Sequence, residues 1–434
     1  MGAGSGLPRI ILRLQMTIID KIREHDRWIE FLNYKLGRAN MKKRDSECLR
    51  KFVENREYVK IVDMLAEGRE MPLPRLVEVN KNGTGKKRLV FSFGTEENFV
   101  LKMMAYLLKD YDFLFCDNLY SFRNDTGVKK AVNRMLSRID FQTAYSYKVD
   151  IHDYFNSINT KRILELAEHK MPEEKWFLGF LRKLLENPYA IKDGEQIKIK
   201  KGVMAGIPVS GFLANLYLGG MDKYFYDRNI VYARYSDDII VFSNTQEQIK
   251  EYESVIVRML NENELEINPK KEIRTFPGDK VEFLGFEFLG RETNISGMAE
   301  KKIKAKIKRK ARALYRWKIS KNAGDERTAR AFIRFLNNKF YDNPVRNEIT
   351  WCRWYFPLIT TDDRLKAIDD YAVSNIRYLY TGKYGKQNYN LRYADIKGMG
   401  FRSLVNNFWK YKEGKYEIEE AVPTLVDNQV KINI

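Results

Sequence analysis

Two adjacent aspartates stand in the run Arg234-Tyr235-Ser236-Asp237-Asp238-Ile239-Ile240-Val241-Phe242, with apolar strands read on both sides, Ile230 to Tyr235 and Ile239 to Phe242. Neighbouring carboxylates between two buried strands repel each other and lose hydration, which is costly unless a positive charge sits on them. Hard oxygen donors suit a divalent cation such as Mg²⁺. An Asp-Asp pair at the tip of a surface hairpin needs no ion, and for the pair in isolation that reading is the better one. A second acidic run changes the balance. In Tyr147-Lys148-Val149-Asp150-Ile151-His152-Asp153-Tyr154-Phe155-Asn156-Ser157-Ile158, Asp150 closes an apolar strand and aromatic residues follow it into a helix. If the two strands are neighbours in one sheet, Asp150 meets Asp237 at one edge. Phosphoryl transfer needs such a group: two metal ions about 3.5–4 Å apart, one activating an attacking hydroxyl and one neutralising the leaving group.

The elements that must hold these residues follow from the patterning. From about Ile10 to Leu65 apolar residues such as Ile18, Ile22, Trp28 and Phe31 recur at helical spacing. Leu76 to Val79 alternates like a strand, Asn80 to Gly85 supplies turn chemistry, and Leu89 to Phe93 reads as the return strand. Helical periodicity resumes over Glu97–Leu108 and Val128–Leu136, a second strand-rich stretch follows, and from Glu300 the pattern is helical almost to the end. Gly202 to Leu218 reads as a glycine-rich loop leading into an apolar helix, and Val281 to Phe288 as one alternating strand. There is no internal repeat. The expected class is α+β, a sheet region flanked by helices with a helical C-terminal unit.

Composition narrows the partners. The chain has 434 residues, 44% hydrophobic and 13% aromatic, which is globular composition. Its 77 Lys and Arg against 58 Asp and Glu leave a formal charge of +19, fitting a polyanion, either nucleic acid or an anionic membrane surface. No run approaches the ~20 apolar residues of a membrane span, and no leader pattern opens the chain. Three dispersed cysteines (Cys48, Cys116, Cys352) and three histidines argue against a disulfide framework or zinc site and fit a reducing cytoplasm.

Taken together, the Tyr-Ser-Asp-Asp turn and the Asp150 strand resemble the palm motifs of reverse transcriptases, and the likeness runs from about Leu76 to Phe288. It implies a right-hand polymerase: an N-terminal helical extension (1–70), fingers (71–145), a palm with interleaved fingers (146–290), and a helical thumb with an RNA-binding region (291–434). It implies Asp150, Asp237 and Asp238 as catalytic and metal-holding residues, with the Ile151 backbone as a further ligand, two Mg²⁺ ions (Mn²⁺ as an alternative), and dNTPs joined into cDNA on an RNA template. Gly202-Val203-Met204-Ala205-Gly206-Ile207-Pro208-Val209-Ser210 resembles the family's Gly-X-Pro-Gln-Gly-X-X-X-Ser segment, which assigns Ala205 and Gly206 to nucleotide binding. The family's Pro-Gln is Met204-Ala205 here, a departure resembling the divergent bacterial class of phage defence and abortive infection.

Phe155 matches the family's steric gate against a ribose 2′-hydroxyl, although Phe is more often core. Lys86 and Arg88, after the predicted turn, resemble the basic segment that grips nucleotide phosphates. Arg123 in Tyr120-Ser121-Phe122-Arg123 matches a nucleic-acid-binding Phe-Arg segment or is a buried ion-pair partner. In Leu265 to Lys271, Lys271 aligns with a lysine near the leaving pyrophosphate, as general acid or charge stabiliser, with Lys270 its near alternative. Val281 to Phe288 resembles the hairpin that holds a primer end.

From Glu300 to Lys321 there are eleven Lys or Arg and one acid, with Ile303, Ile307, Leu314 and Trp317 spaced for one helix face. Lys304, Lys308, Arg312 and Arg316 are the candidates for backbone contacts to a template–product duplex. Trp351, Trp354, Tyr355, Phe356, Trp409 and Tyr411 either stack unpaired bases or fill a core. The leading expectation is a cytoplasmic reverse transcriptase using a dedicated structured non-coding RNA in bacterial antiphage defence. A group II intron-type enzyme, an RNA-dependent RNA polymerase and a non-catalytic RNA-binding scaffold are the alternatives.

Overall fold

The computed structural model describes residues 16–37, 41, 43–80, 87–123, 126–341, 351–385 and 390–415. They divide into two compact units. One takes the described residues up to 127 with 146–274, the other 128–145 with the described residues from 275.

The first unit opens with helices Ile18–Arg23, His25–Leu36, Lys43–Glu54 and Tyr58–Ala66. Their apolar stripes meet on Trp28, which is fully buried and stacks on Tyr58 with ring centroids 4.2 Å apart. The Trp28 indole N–H donates to the Ile22 carbonyl at 2.8 Å, so its polar edge is satisfied inside the core. Strands β1 (Arg75–Asn80), β2 (Lys87–Ser92), β3 (Tyr145–Asp150), β4 (Tyr189–Lys192), β5 (Glu195–Lys198), β6 (Tyr232–Tyr235), β7 (Asp238–Ser243) and β8 (Ile273–Thr275) follow, with helices between them.

Two sheets result. One has the order β2-β1-β4-β5, and β1 and β2 pair antiparallel from Arg75↔Ser92 to Asn80↔Lys87, as the strand-turn-strand pattern predicts. The other has the order β6-β7-β3-β8. Ile239 to Phe242 are all buried, which explains why β7 reads as a continuous apolar run rather than an alternating one. Helices Thr95–Leu107 and Ser210–Tyr217 supply much of the remaining core, and every residue of the second is buried.

The second unit holds helix Val128–Leu136, a three-stranded sheet of order β11-β10-β9, and a helical region. The sheet corrects one expectation: Val281 to Phe288 is two strands rather than one. β9 (Val281–Phe283) turns at Leu284 and Gly285 into β10 (Phe286–Leu289), which pairs on its other side with β11 (Glu292–Ile295). Leu284 and Gly285 both take left-handed backbone (φ 50° and 90°), the two-residue turn matched to strand twist. Phe283 and Phe286 face each other across it, so Val281, Phe283, Phe286 and Phe288 share one buried face although the alternation shifts phase at the turn.

Helix Gly297–Lys321 follows, capped by the Ser296 hydroxyl, which accepts from the Ala299 N–H at 3.2 Å. Asp325–Phe340, Trp351–Tyr355, Asp363–Thr381, Tyr393–Gly398 and Leu404–Lys412 complete the described helices of this unit. The architecture is mixed α+β, sheets flanked by helices, as the patterning predicts. Among the described residues no helix is long and apolar enough to cross a membrane.

Candidate active site

β6 and β7 pair from Tyr232↔Val241 to Tyr235↔Asp238, which leaves Ser236 and Asp237 as the whole turn. A reversal this tight puts Ser236 in left-handed backbone, φ 62°, an uncommon conformation for a residue with a Cβ. Its amide donates to the Ser121 hydroxyl at 2.8 Å. β7 neighbours β3, and beyond the end of β3 the Ile151 N–H donates to the Asp237 carbonyl at 3.0 Å. On the other side the Asn268 N–H donates to the Asp150 carbonyl at 2.8 Å and the His152 N–H to the Glu266 carbonyl at 2.8 Å. Asp150, Asp237, Asp238 and Lys271 are thereby brought to one edge of one sheet by backbone pairing.

The charges there are strongly coupled. Asp150 is 4% exposed, its Oδ2 paired with the Lys271 ammonium and its Oδ1 accepting from the Asn268 amide at 3.3 Å. Burial, then the negative charges of Asp238 and Asp150, push the Asp237 carboxyl from its ordinary 3.8 up to about 6. Burial opposes the Lys271 charge, but the hydrogen bond and charge of Asp150, with Asp238 and Asp237 behind it, hold the ammonium above its ordinary value. Among the described residues no three His, Cys, Asp or Glu side chains close into a metal cage. The acidic donors are nonetheless all carboxylate oxygens whose repulsion raises Asp237, and that set fits a hard divalent cation.

This coupling has a measurable consequence. A carboxyl that holds its proton more tightly when folded costs stability as pH rises from about 4 to 6, and the deficit persists above 6. In chelator, Asp237→Asn is expected to melt with wild type near pH 4 and several degrees higher at pH 7.5. Equal offsets at both pH values in thermal scans would remove the repulsion from the account.

The loop before helix Ser210–Tyr217 lies against the segment that follows β3. The Val203 N–H donates to the Phe155 carbonyl at 2.9 Å and the Ala205 N–H to the Asn156 side chain at 3.3 Å, while the Ala205 carbonyl accepts from Phe91 of β2 at 2.8 Å. Ala205 is 2% exposed with both backbone groups engaged, so it is placed as scaffold. Gly206 is exposed at φ 104°, and a Cβ there would stand 2.8 Å from the Phe91 carbonyl oxygen, a position that tolerates only glycine. The half-buried Phe155 ring meets Phe122 edge-on at 5.9 Å.

Other candidates are distributed differently. Lys86 lies outside the described residues, and Arg88 belongs to β2. Of the two readings open for Arg123, the structure shows the buried ion pair. Its guanidinium pairs with Asp112 (Nε to Oδ1 3.0 Å, Nη2 to Oδ2 2.9 Å) and donates to the Cys116 and Leu119 carbonyls.

In the second unit Lys308, Arg312 and Arg316 are exposed at four-residue spacing on helix Gly297–Lys321. Lys304 is half-buried and paired with Glu300. The buried residues of that helix are Ala299, Ile303, Ile307 and Ala311, and Trp317, about five turns beyond Ala299, is 38% exposed, against the face expected for it. Trp351, Tyr355 and Phe356 are core, whereas Trp409 is 46% exposed and donates to Asp362 at 2.7 Å.

Sequence reasoning missed the network beneath the turn. Arg234 of β6 is fully buried and paired with Asp222, 1% exposed, through Nε to Oδ1 at 2.8 Å and a second contact to Oδ2. Its guanidinium also donates to the carbonyls of Asn215 (3.0 Å) and Ser236 (3.4 Å), so it holds the acidic turn from below. The Asn215 amide donates to the Ser121 carbonyl at 2.7 Å, tying the helix to the segment that receives the Ser236 N–H. A basic residue inside an apolar strand was the available signal, because an arginine there must be paired.

Residues 79–288 match the family described as Reverse transcriptase (RNA-dependent DNA polymerase). No curated protein matches the chain. Among solved structures it is similar to apo telomerase from Candida tropicalis truncated from the C-terminal domain, at 14% identity and TM-score 0.41 over 51% of this chain and 55% of that one. Apo telomerase from Candida tropicalis gives 12% and 0.42, over 87% and 67% of the two chains. Telomerase from Candida albicans with the TWJ fragment of telomeric RNA gives 10% and 0.41, over 80% and 68%. This chain thus spans little more than half of the first of these structures. The family match covers the β3 acid, the Asp-Asp turn, the glycine-rich loop and Lys271, and residues 79–288 are a reverse transcriptase domain.

Proposed function

We propose that this chain is an RNA-directed DNA polymerase that makes cDNA by two-metal nucleotidyl transfer. The observation that carries the reading is the gathering of Asp150, Asp237, Asp238 and Lys271 on one sheet edge within the matched domain. Asp150, Asp237 and Asp238 would hold the Mg²⁺ or Mn²⁺ ions, with the Ile151 backbone beside them. Bound there, the metals would activate a primer 3′-hydroxyl and neutralise the departing pyrophosphate. Lys271, poised on Asp150 with a reinforced positive charge, would release that pairing and meet the pyrophosphate.

Phe155 would stand under the sugar of the incoming nucleotide and select dNTP by excluding a 2′-hydroxyl. Lys86 and Arg88 would hold its phosphates, with Gly206 allowing close approach. In this reading the N-terminal helices are an extension, 71–145 fingers, 146–290 palm, and 291–434 thumb and RNA-binding region. Lys308, Arg312 and Arg316 then grip the phosphate backbone of a template–product duplex.

The setting we propose is the cytoplasm of a bacterium, with a dedicated structured non-coding RNA as template and antiphage defence as the outcome. The support is the Met204-Ala205 departure and the charge of +19. The test is to purify the protein from its host and sequence what accompanies it. One abundant RNA with complementary DNA over part of it is expected. Mixed cellular RNA with no complementary DNA would remove the dedicated-template reading.

A further inference from the structure

A cavity of about 190 Å³ lies in the first unit, away from the acidic residues, between helix Lys175–Glu186 and residues 65–74. One wall is aromatic. Trp176 and Phe180, one helical turn apart, lie nearly parallel with centroids 5.9 Å apart, and the Trp176 N–H is anchored to the Leu65 carbonyl at 3.2 Å. Met71 and Pro72 line the cavity with them, and Arg69, Lys175 and Lys183 bring positive charge to it against the one carboxylate of Glu70.

Lys201 also lines this cavity and is 3% exposed. An ammonium carries three donors, yet its hydrogen-bond acceptor is the Tyr189 carbonyl at 3.2 Å, and among the described residues no carboxylate pairs with it. A buried, unpaired ammonium is costly, and a leucine or methionine would fill the same space without that cost. Burial lowers the amine to about 8, the direction expected where no anion repays lost hydration and the direction a bound anion would reverse.

We infer that this cavity binds a nucleotide unit, its base against Trp176 and Phe180 and its phosphate on the Lys201 ammonium. The space is below the roughly 300–1,000 Å³ of sites for drug-sized ligands, which limits the occupant to a single nucleotide unit. Aromatic stacking accepts any base, and a buried cation selects the phosphate. The occupant is either a free nucleotide or one unpaired nucleotide of a bound RNA. Lys201 directly precedes Gly202, where the chain turns at φ 51° against the Phe155 carbonyl. An occupied cavity therefore braces the root of the glycine-rich loop.

The test uses the full chain, with calorimetric titration of adenosine monophosphate and, separately, adenosine and inorganic phosphate. A second arm photo-cross-links single-stranded RNA carrying 4-thiouridine and maps the linked residues. A free-nucleotide occupant predicts saturable monophosphate binding, tighter than either fragment and weakened at least about tenfold by Lys201→Met and by Trp176→Leu. An RNA occupant predicts cross-links at Trp176 that Lys201→Met removes. Lys201→Met is expected to melt no lower than wild type, and Trp176→Leu at the half-exposed wall provides a second variant if it does. Binding and cross-links unchanged in both variants, or fragments binding as tightly as the nucleotide, would overturn the site. Because binding is read directly, the result stands apart from whether the domain polymerises.

Discussion

Alanine at both Asp237 and Asp238 is expected to lower labelled-dNTP incorporation on primed RNA by at least about a thousandfold while leaving RNA binding intact. Asp237 ends the two-residue turn and Asp238 opens β7, and the backbone of both is held independently of their side chains. The Ser236 N–H is received by Ser121, and the Asp237 carbonyl accepts from Ile151. Removing the carboxylates therefore takes away charge without dismantling the strand pairing. It also relieves the repulsion that raises Asp237, so the double variant should melt no lower than wild type. Filter binding measures the RNA arm and incorporation the catalytic one. Incorporation that survives in the double variant would detach these residues from the chemistry.

Asp222→Asn is expected to cost about 3–5 kcal/mol, because it leaves the Arg234 guanidinium fully buried beside a neutral partner. At about 2–4 °C per kcal/mol that is a fall of roughly 6–20 °C in melting temperature. The Tyr232 hydroxyl, which donates to Asp222 Oδ1 at 3.0 Å, loses strength at the same time. Replacing both partners, Asp222→Leu with Arg234→Met, should recover most of the loss, since no charge is then stranded. Catalysis should not recover with it, because Arg234 also holds the Ser236 and Asn215 carbonyls under the turn. Urea unfolding and incorporation on the same preparations separate the two effects. An Asp222→Asn protein as stable as wild type would show that the pair does not sustain the fold.

The parts of the site that were legible in the residues are those with local causes. An apolar run broken by Ser236-Asp237-Asp238 reads as a turn there, and the strand ending at Asp150 was legible because polar His152-Asp153 interrupts the apolar run after it. β1 and β2 were legible because turn residues separate two alternating runs. The β9–β10 reversal was legible only through the hairpin resemblance, because the run reads as one alternating strand although its apolar positions shift phase, from Val281 and Phe283 to Phe286 and Phe288. Of the face expected for helix Gly297–Lys321, Ile303 and Ile307 are buried, but Trp317 near its C-terminal end is exposed. Periodicity sets which residues share a face, and packing decides how far along the helix that face is covered.

Patterning and residue chemistry alone therefore determined the α+β class, the acidic turn and the identity of its charged residues. What tertiary structure decided was who neutralises whom. Arg123 and Arg234 are both arginines near aromatic or acidic neighbours in the chain, yet their partners, Asp112 and Asp222, are chosen by chain reversals that no local pattern encodes. Lys271 reaches Asp150 because β8 neighbours β3, whereas among the described residues no carboxylate pairs with Lys201, although Glu70 lines the same cavity. The free energy of a buried charge depends on its partner and its hydration, and both are properties of the folded surroundings rather than of residue type.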